Sequence, residues 1–371
     1  MNNQPVNPLV ELQLCGQSFW YDNIRRKFLH DGTIQRLIAE DGLLGITSNP
    51  SIFEKAIGSS SDYDEQLAEL SAAAADTNQM YEALVLADIR QACDMFAAVY
   101  EQTNKRDGFV SLEVSPHLAH DTAATIAEAR RLYEAVGRPN VMIKVPATPA
   151  GIPAIEKLIG AGINVNITLM FSMAHYEAVA QAYINGLRHW LQQGGDPTQV
   201  ASVASFFVSR VDTAVDKQLA ALDDPAAKSL LGKVAIANSK VVYQRFQEIF
   251  HGPVFAELMT TGANVQRLLW ASTSTKNPDY PATLYIDELI GPQTVNTMPP
   301  DTVDAFRDHG NVAQTLTTAV DQAQLVLDQI VALQIDLEAV TEQLQGEGVA
   351  AFAKSFDSLL ATIAQKGQQL V

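Results

Sequence analysis

The sequence predicts an α/β fold and, within that class, a (β/α)8 TIM barrel with additional C-terminal helices. Three observations lead there. About eight short apolar runs are spread along the 371 residues, and segments of helical periodicity separate most of them, as parallel strands joined by crossover helices require. No internal repeat or composition break divides the chain, so residues 1–371 read as one barrel domain, with 310–371 as a helical extension packed on it. Polar side chains recur where the runs end, and the C-terminal ends of strands are where barrels hold their functional groups. A doubly wound sheet with a separate helical domain is the alternative arrangement.

Residues 17–22 (QSFWYD) form the first expected strand, ending in a carboxylate. Asp31 is placed to cap a helix running to Glu40. Residues 43–47 (LLGIT) form the second strand, stopped by Ser48, Asn49 and Pro50. The biased stretch 59–78 reads as an excursion with its own helix. Val85, Ile89, Ala92, Phe96 and Val99 then repeat at helical spacing, giving an amphipathic helix over 81–101. The third strand is 109–114, with Ser111 and Glu113 on one face, and Gly137 stops the helix that follows from Asp121.

Residues 140–168 make the central βαβ unit. In a strand every second side chain shares a face, so Lys144 lies opposite Ile143 and Val145, and Asn164, Asn166 and Thr168 lie opposite Ile163, Val165 and Ile167. A buried parallel strand is ordinarily apolar on both faces. Here the polar faces are expected near the C-terminal strand ends, which points to a site. A helix follows over 172–190, a sixth strand over 200–208, and a long helical region to 250. The seventh and eighth strands are 266–272 and 294–298, the latter ended by Pro299 and Pro300. Two tail helices follow Gly310, one through Leu316 to Ile330 and one carrying Phe352, Phe356, Leu359 and Ile363. The tail is expected to cover the barrel base or to meet a partner subunit.

A net charge of −17 argues against nucleic acid and anionic membrane as partners, and an anionic substrate would need a local cluster of Lys or Arg. No apolar run reaches the ~20 residues of a membrane span, and the N-terminus lacks the pattern of a secretory signal. Cys15 and Cys93 form no metal or disulfide pattern, so a cytoplasmic location is expected. His117 and His120 open a helix without a third ligand, so capping or a surface role is favoured over metal binding. Neither of the common nucleotide loops, G-x-G-x-x-G and G-x-x-x-x-G-K-[ST], occurs.

The remaining candidates are strand-end polar groups: Asp22, Asn49, Glu113, Lys144, Asn166, Thr168, Ser205, Arg210 and Lys276. Among apolar neighbours an amine loses solvation, which favours its neutral form, and a neutral amine attacks a ketone to form a Schiff base. Asp22 and Glu113 suit proton transfer, Asn49, Asn166 and Thr168 suit sugar hydroxyls, and Arg210 and Lys276 follow strands six and seven, where barrels commonly hold phosphate.

The runs GITSNPSIF, FVSLEVSP, VMIKVPAT, INVNITLMFS, SFFVSRVD and WASTSTKNP occur in an order that resembles the transaldolases, most closely the long bacterial form, over about residues 19–306. That resemblance implies Lys144 as the Schiff-base lysine, Glu113 and Thr168 as the pair holding a catalytic water, and Asp22 as the acid/base of carbon–carbon cleavage. It also implies Asn49 and Asn166 as hydroxyl-binding residues and Ser205 and Arg210 as phosphate-binding residues. The chain departs from the shorter members after strand seven, where ASTSTKN replaces an arginine-bearing A-S-F-R-N run. Lys276 is the substitute, a point charge in place of a fork. The implied activity is transfer of a dihydroxyacetone unit between sugar phosphates in the pentose phosphate pathway, with no metal or organic cofactor. A Schiff-base aldolase releasing free dihydroxyacetone and an inactive barrel acting as an assembly partner are the alternatives.

Overall fold

The structure is a computed structural model in which residues 7–370 are described. Eight parallel strands close into a barrel in sequence order: β1 Gln17–Tyr21, β2 Gly45–Ile46, β3 Phe109–Glu113, β4 Val141–Pro146, β5 Val165–Met170, β6 Ser202–Phe207, β7 Arg267–Ala271 and β8 Thr294–Met298. This is the (β/α)8 TIM barrel that the spacing predicts, with further helices at the C-terminus. Its strands are buried on both faces, helices outside and side-chain layers inside.

The structure departs from this reading in three places. The second strand is shorter than expected, although Leu44 N still donates to Phe19 O and Thr47 N to Tyr21 O on either side of it, and β2 is packed closely between its neighbours. A Cβ on Gly45 would lie 2.7 Å from the Trp20 ring and 2.9 Å from Phe109 O, so only glycine lets Trp20 fill the barrel there. The Pro299-Pro300 pair, read as a strand terminator, also starts a helix, Pro300–His309, because proline is pre-set for the first helical turn. The helix Pro253–Thr260 begins the same way. The helical region up to 250 is three helices, Ser209–Ala221, Pro225–Lys228 and Val234–Phe250. Elsewhere the helix expected over 81–101 gains a turn at its start, Thr77–Gln102, from a capping box between Asp76 and Gln79. Asp31 accepts the Thr33 N–H, but the N-cap position itself is Gly32.

The N-terminal face is tied by one buried network. Ser18 Oγ and Trp20 Nε1 both donate to Asp107 at 2.9 Å, and Arg267 pairs with the same carboxylate at 3.0 Å. Asn164 belongs to this end too: it bonds Pro139 O, Val141 O and Ala201 N before β5 begins. Its place among the C-terminal polar residues is therefore corrected, since the strand starts at Val165, two residues later than expected.

The tail lies on the opposite face from the barrel base. After the helix Val320–Ala332, the helix Leu337–Gln369 runs over the helix Pro50–Gly58 and the C-terminal ends of β4 and β5. Gln345 Nε2 donates to Ala147 O and Leu169 O, both at 3.0 Å. Ser355 meets Ser51 at 2.8 Å, and the Phe356 ring packs edge-on against Tyr81. Phe352, Phe356, Leu359 and Ile363 are all buried, and burying each such side chain contributes about 1.5–3 kcal/mol.

Candidate active site

Parallel register brings three predicted residues side by side at the mouth of the barrel. Glu113 on β3 pairs with Lys144 on β4, and Lys144 pairs with Asn166 on β5. All three are buried. Lys144 Nζ donates to Ser48 O at 3.1 Å and lies 3.6 Å from Glu113 Oε2. Burial pushes the Glu113 carboxyl above its usual range, against the opposing pull of the Lys144 charge. One proton shared by such a pair leaves it without net charge in either arrangement, so it moves between amine and carboxyl at low electrostatic cost.

Asn166 is braced on both sides: its Nδ2 donates to Ser111 Oγ at 3.0 Å, and Ser205 Oγ donates to its Oδ1 at 2.7 Å. The Ser205 proton is thus committed to Asn166, and phosphate contact there requires that bond to be exchanged. Thr168 Oγ1 and Glu113 Oε2 are buried with no hydrogen-bond partner in the protein. Buried polar atoms without partners are rare, and a water between such groups would satisfy both. Just after Thr168, Leu169 adopts φ 60° at a bulge in the β5–β6 pairing. This uncommon conformation for a non-glycine residue costs about 1–3 kcal/mol, and the tail holds it through the Gln345 bond to Leu169 O.

Asp22 follows β1 across the opening. Thr47 donates to it at 2.7 Å and meets Thr297, near the end of β8, at 2.6 Å. Burial pushes the Asp22 carboxyl up, while Lys144, the Thr47 bond, Lys276 and Arg210 oppose the shift. Asn49 caps the helix Pro50–Gly58, its side chain accepting from Ile52 N at 3.0 Å, which leaves its amide nitrogen without an assigned bond. Arg210, in the first turn of Ser209–Ala221, lies over the Phe207 ring at 5.1 Å. Lys276 is exposed and donates to Ser274 at 2.7 Å. Its amine is partly covered at the cavity rim, and this partial desolvation, then Arg210 and Lys55, lower its pKa. Three cations therefore converge in a chain of net charge −17, and none of Arg210, Lys276 and Lys55 has an ion pair among the described residues.

These groups surround a cavity of about 930 Å³, within the range that takes a small phosphorylated ligand. Asp22, Asn49, Lys144, Thr168, Ser205, Arg210 and Lys276 line it. Glu113 and Asn166 lie behind Lys144 rather than on the wall. The sequence reading missed Thr47 and Thr297, although both sit near strand ends as the chosen residues do. It also missed Lys55, one turn into a helix, and Phe352 of the tail, whose ring centre lies 6.0 Å from Lys144 Nζ. His117 is not part of the site and pairs with Asp357 at 2.7 Å on the surface. Among the described residues no group of three or more His, Cys, Asp or Glu is placed to hold a metal, and no helix is long and apolar enough to cross a membrane.

The family model described as Transaldolase/Fructose-6-phosphate aldolase matches residues 19–363. The chain belongs to this family. The match extends beyond the barrel to Ile363, so the tail helix with Phe352 lies inside the transaldolase/fructose-6-phosphate aldolase pattern. Relatives at full length are similar throughout. A transaldolase of Thiobacillus denitrificans is 48% identical over 96% of this chain and 100% of its own length. A protein named transaldolase 2 from a Nostoc species is 47% identical over 97% and 98%. A transaldolase of Frankia alni is 46% identical over 97% of both chains.

Proposed function

We propose that the chain is a transaldolase that moves a dihydroxyacetone unit from sedoheptulose 7-phosphate to glyceraldehyde 3-phosphate, giving erythrose 4-phosphate and fructose 6-phosphate. The observation that carries this reading is a buried lysine between an in-register carboxyl and a braced amide, at the floor of a cavity with unpaired cations at its mouth. The Lys144 amine attacks the donor's C2 ketone. Glu113, with a water held against Thr168, supplies and removes the protons as the carbinolamine loses water. Asp22 then takes the C4 hydroxyl proton, the C3–C4 bond breaks, and its electron pair passes into the iminium to give an enamine on Lys144. The aldehyde leaves. The acceptor aldehyde is attacked by the enamine carbon, and hydrolysis of the new imine frees the product and the lysine.

Asn49 and Asn166 hold hydroxyls in this scheme, and Arg210, Lys276 and Lys55 hold the phosphate, with Ser205 positioning Asn166. The chain works as one barrel domain whose extension from residue 310 completes the site. Its partners are sugar phosphates, and with free thiols at Cys15 and Cys93 we place it in the cytoplasm. The test is direct. Sedoheptulose 7-phosphate and glyceraldehyde 3-phosphate should be converted to fructose 6-phosphate and erythrose 4-phosphate in equal amounts. Failure of a folded sample to form either product sinks the reading.

A further inference from the structure

The enamine on Lys144 has two possible fates. An acceptor aldehyde adds to it, completing transfer. Otherwise its carbon takes a proton, water adds to the resulting iminium, and the C–N bond breaks to release dihydroxyacetone and the free amine. The second route needs only a proton and water, both abundant in solvent. An enzyme that transfers must therefore keep bulk water, beyond the one held against Thr168 for the imine steps, from protonating the enamine carbon for as long as the acceptor takes to arrive.

Where the cavity passes Lys144, one apolar side chain on its wall comes from outside the barrel. Phe352, on the tail helix, is 208 positions from the lysine in sequence, yet it lines the cavity with its ring centre 6.0 Å from Nζ. The ring is 6% exposed. Its helix is fixed at this depth by bonds to the barrel itself. Gln345, two turns earlier, donates to the carbonyls of Ala147 and Leu169 just past Lys144 and Thr168. Gly348 lets the helix come this close, since a Cβ there would lie 2.7 Å from Leu169 Cδ2. Ser355 and Phe356 hold the following turn. These contacts exceed what is needed to cover an apolar stripe, because Gln345 and Gly348 are placed against the strand ends that carry the chemistry.

We propose that Phe352 is a specificity-determining residue: its ring is the fixed apolar wall that shields the Lys144 enamine from water, so the tail helix sets the balance between transfer and hydrolytic release. The proposal rests on the Schiff-base reading above and adds a role for the tail. A shorter side chain at 352 opens polar-lined space beside the enamine that is roomy enough for water.

The experiment compares wild type with Phe352→Leu and Phe352→Ala in the full-length protein. Release of dihydroxyacetone from fructose 6-phosphate without acceptor is measured against transfer to glyceraldehyde 3-phosphate. The ratio of release to transfer should rise in the order Phe, Leu, Ala, reaching about tenfold in the alanine variant, equivalent to ~1.4 kcal/mol between the two barriers. A ratio unchanged across the series overturns the proposal, including the case in which both rates and the Tm fall together, as a purely structural role would have it. Should the alanine variant not fold, the leucine variant alone decides, with a raised ratio supporting the wall and an equal one overturning it. A wild type that forms no lysine adduct would instead indict the Schiff-base reading.

Discussion

Glu113→Gln keeps the shape of the side chain and removes its ability to give or take a proton. The carboxyl oxygen that faces Lys144 is 3.6 Å from Nζ and has no hydrogen-bond partner. Two unit charges at that distance attract by about 5 kcal/mol at an effective dielectric near 20, but most of this offsets the cost of burying them. The glutamine carbonyl keeps a partial negative charge facing Nζ, so the expected loss of stability is modest, about 1–3 kcal/mol. The rate effect should be larger. Removing a positioned acid/base typically costs 10²–10⁴-fold, or about 3–5 kcal/mol of barrier. Steady-state turnover of fructose 6-phosphate with an acceptor should fall by that factor, with the donor KM within about threefold because Glu113 lies behind the lysine rather than on the cavity wall. A time course of borohydride trapping should show the imine forming more slowly by a similar factor. Denaturant unfolding supplies the control for folding. If turnover and trapping both stay within threefold of wild type, Glu113 is not the proton carrier and the account of imine formation is wrong.

Four further outcomes follow from the geometry and the buried charges. Asp22→Asn should still form the imine but not break the donor, so reduction with borohydride in fructose 6-phosphate should leave a six-carbon adduct where wild type leaves three carbons, and a three-carbon adduct in the variant would clear Asp22 of the role. Because burial raises the Asp22 carboxyl and the base must be ionised, wild-type kcat/KM should fall with decreasing pH through a group titrating above 3.8, a limb absent at the residual rate of Asp22→Asn. Lys276→Ala and Lys55→Ala should each raise the KM for glyceraldehyde 3-phosphate about tenfold, the scale of one charge-assisted hydrogen bond, and leave the KM for unphosphorylated glyceraldehyde unchanged; equal effects on both would remove the lysines from the phosphate site. Asp212, buried and bonded by Ala235 N and Tyr285 OH, has its pKa pushed up to about 7 by burial, so its protonated form is favoured by folding. That contribution is complete below the unfolded value of ~3.9 and is lost as pH rises towards 7; Asp212→Asn should flatten the fall in unfolding free energy across this window, and an unchanged slope would assign it to other groups.

Much of the fold was legible because period-two runs and their spacing report strands directly, as 109–114 and 294–298 did. Lys144, Asn166 and Thr168 stood out since a polar face on a parallel strand is costly unless used, and alternation alone assigned that face. Other parts were hidden for definite reasons. The need for glycine at position 45 comes from the Trp20 ring filling the space beside it, a contact between strands that no local pattern encodes. Asn164 shares the parity of Asn166, and only the start of β5 tells the base of the barrel from its mouth. Asn49 serves as a helix cap whatever else it does, so its type and position carry two meanings. Phe352 looks like any core aromatic at helical spacing. Its approach to Lys144 arises from the path of the tail over the strand ends, set by Gln345 and Gly348.

The central claim is that Lys144 bonds covalently to a ketose. Incubating the full-length protein with fructose 6-phosphate, reducing with borohydride and mapping the product by peptide mass measures this directly. The account predicts one three-carbon modification, located on Lys144 and absent from Lys144→Met. An adduct confined to any other lysine, or none in protein that is folded, would contradict it.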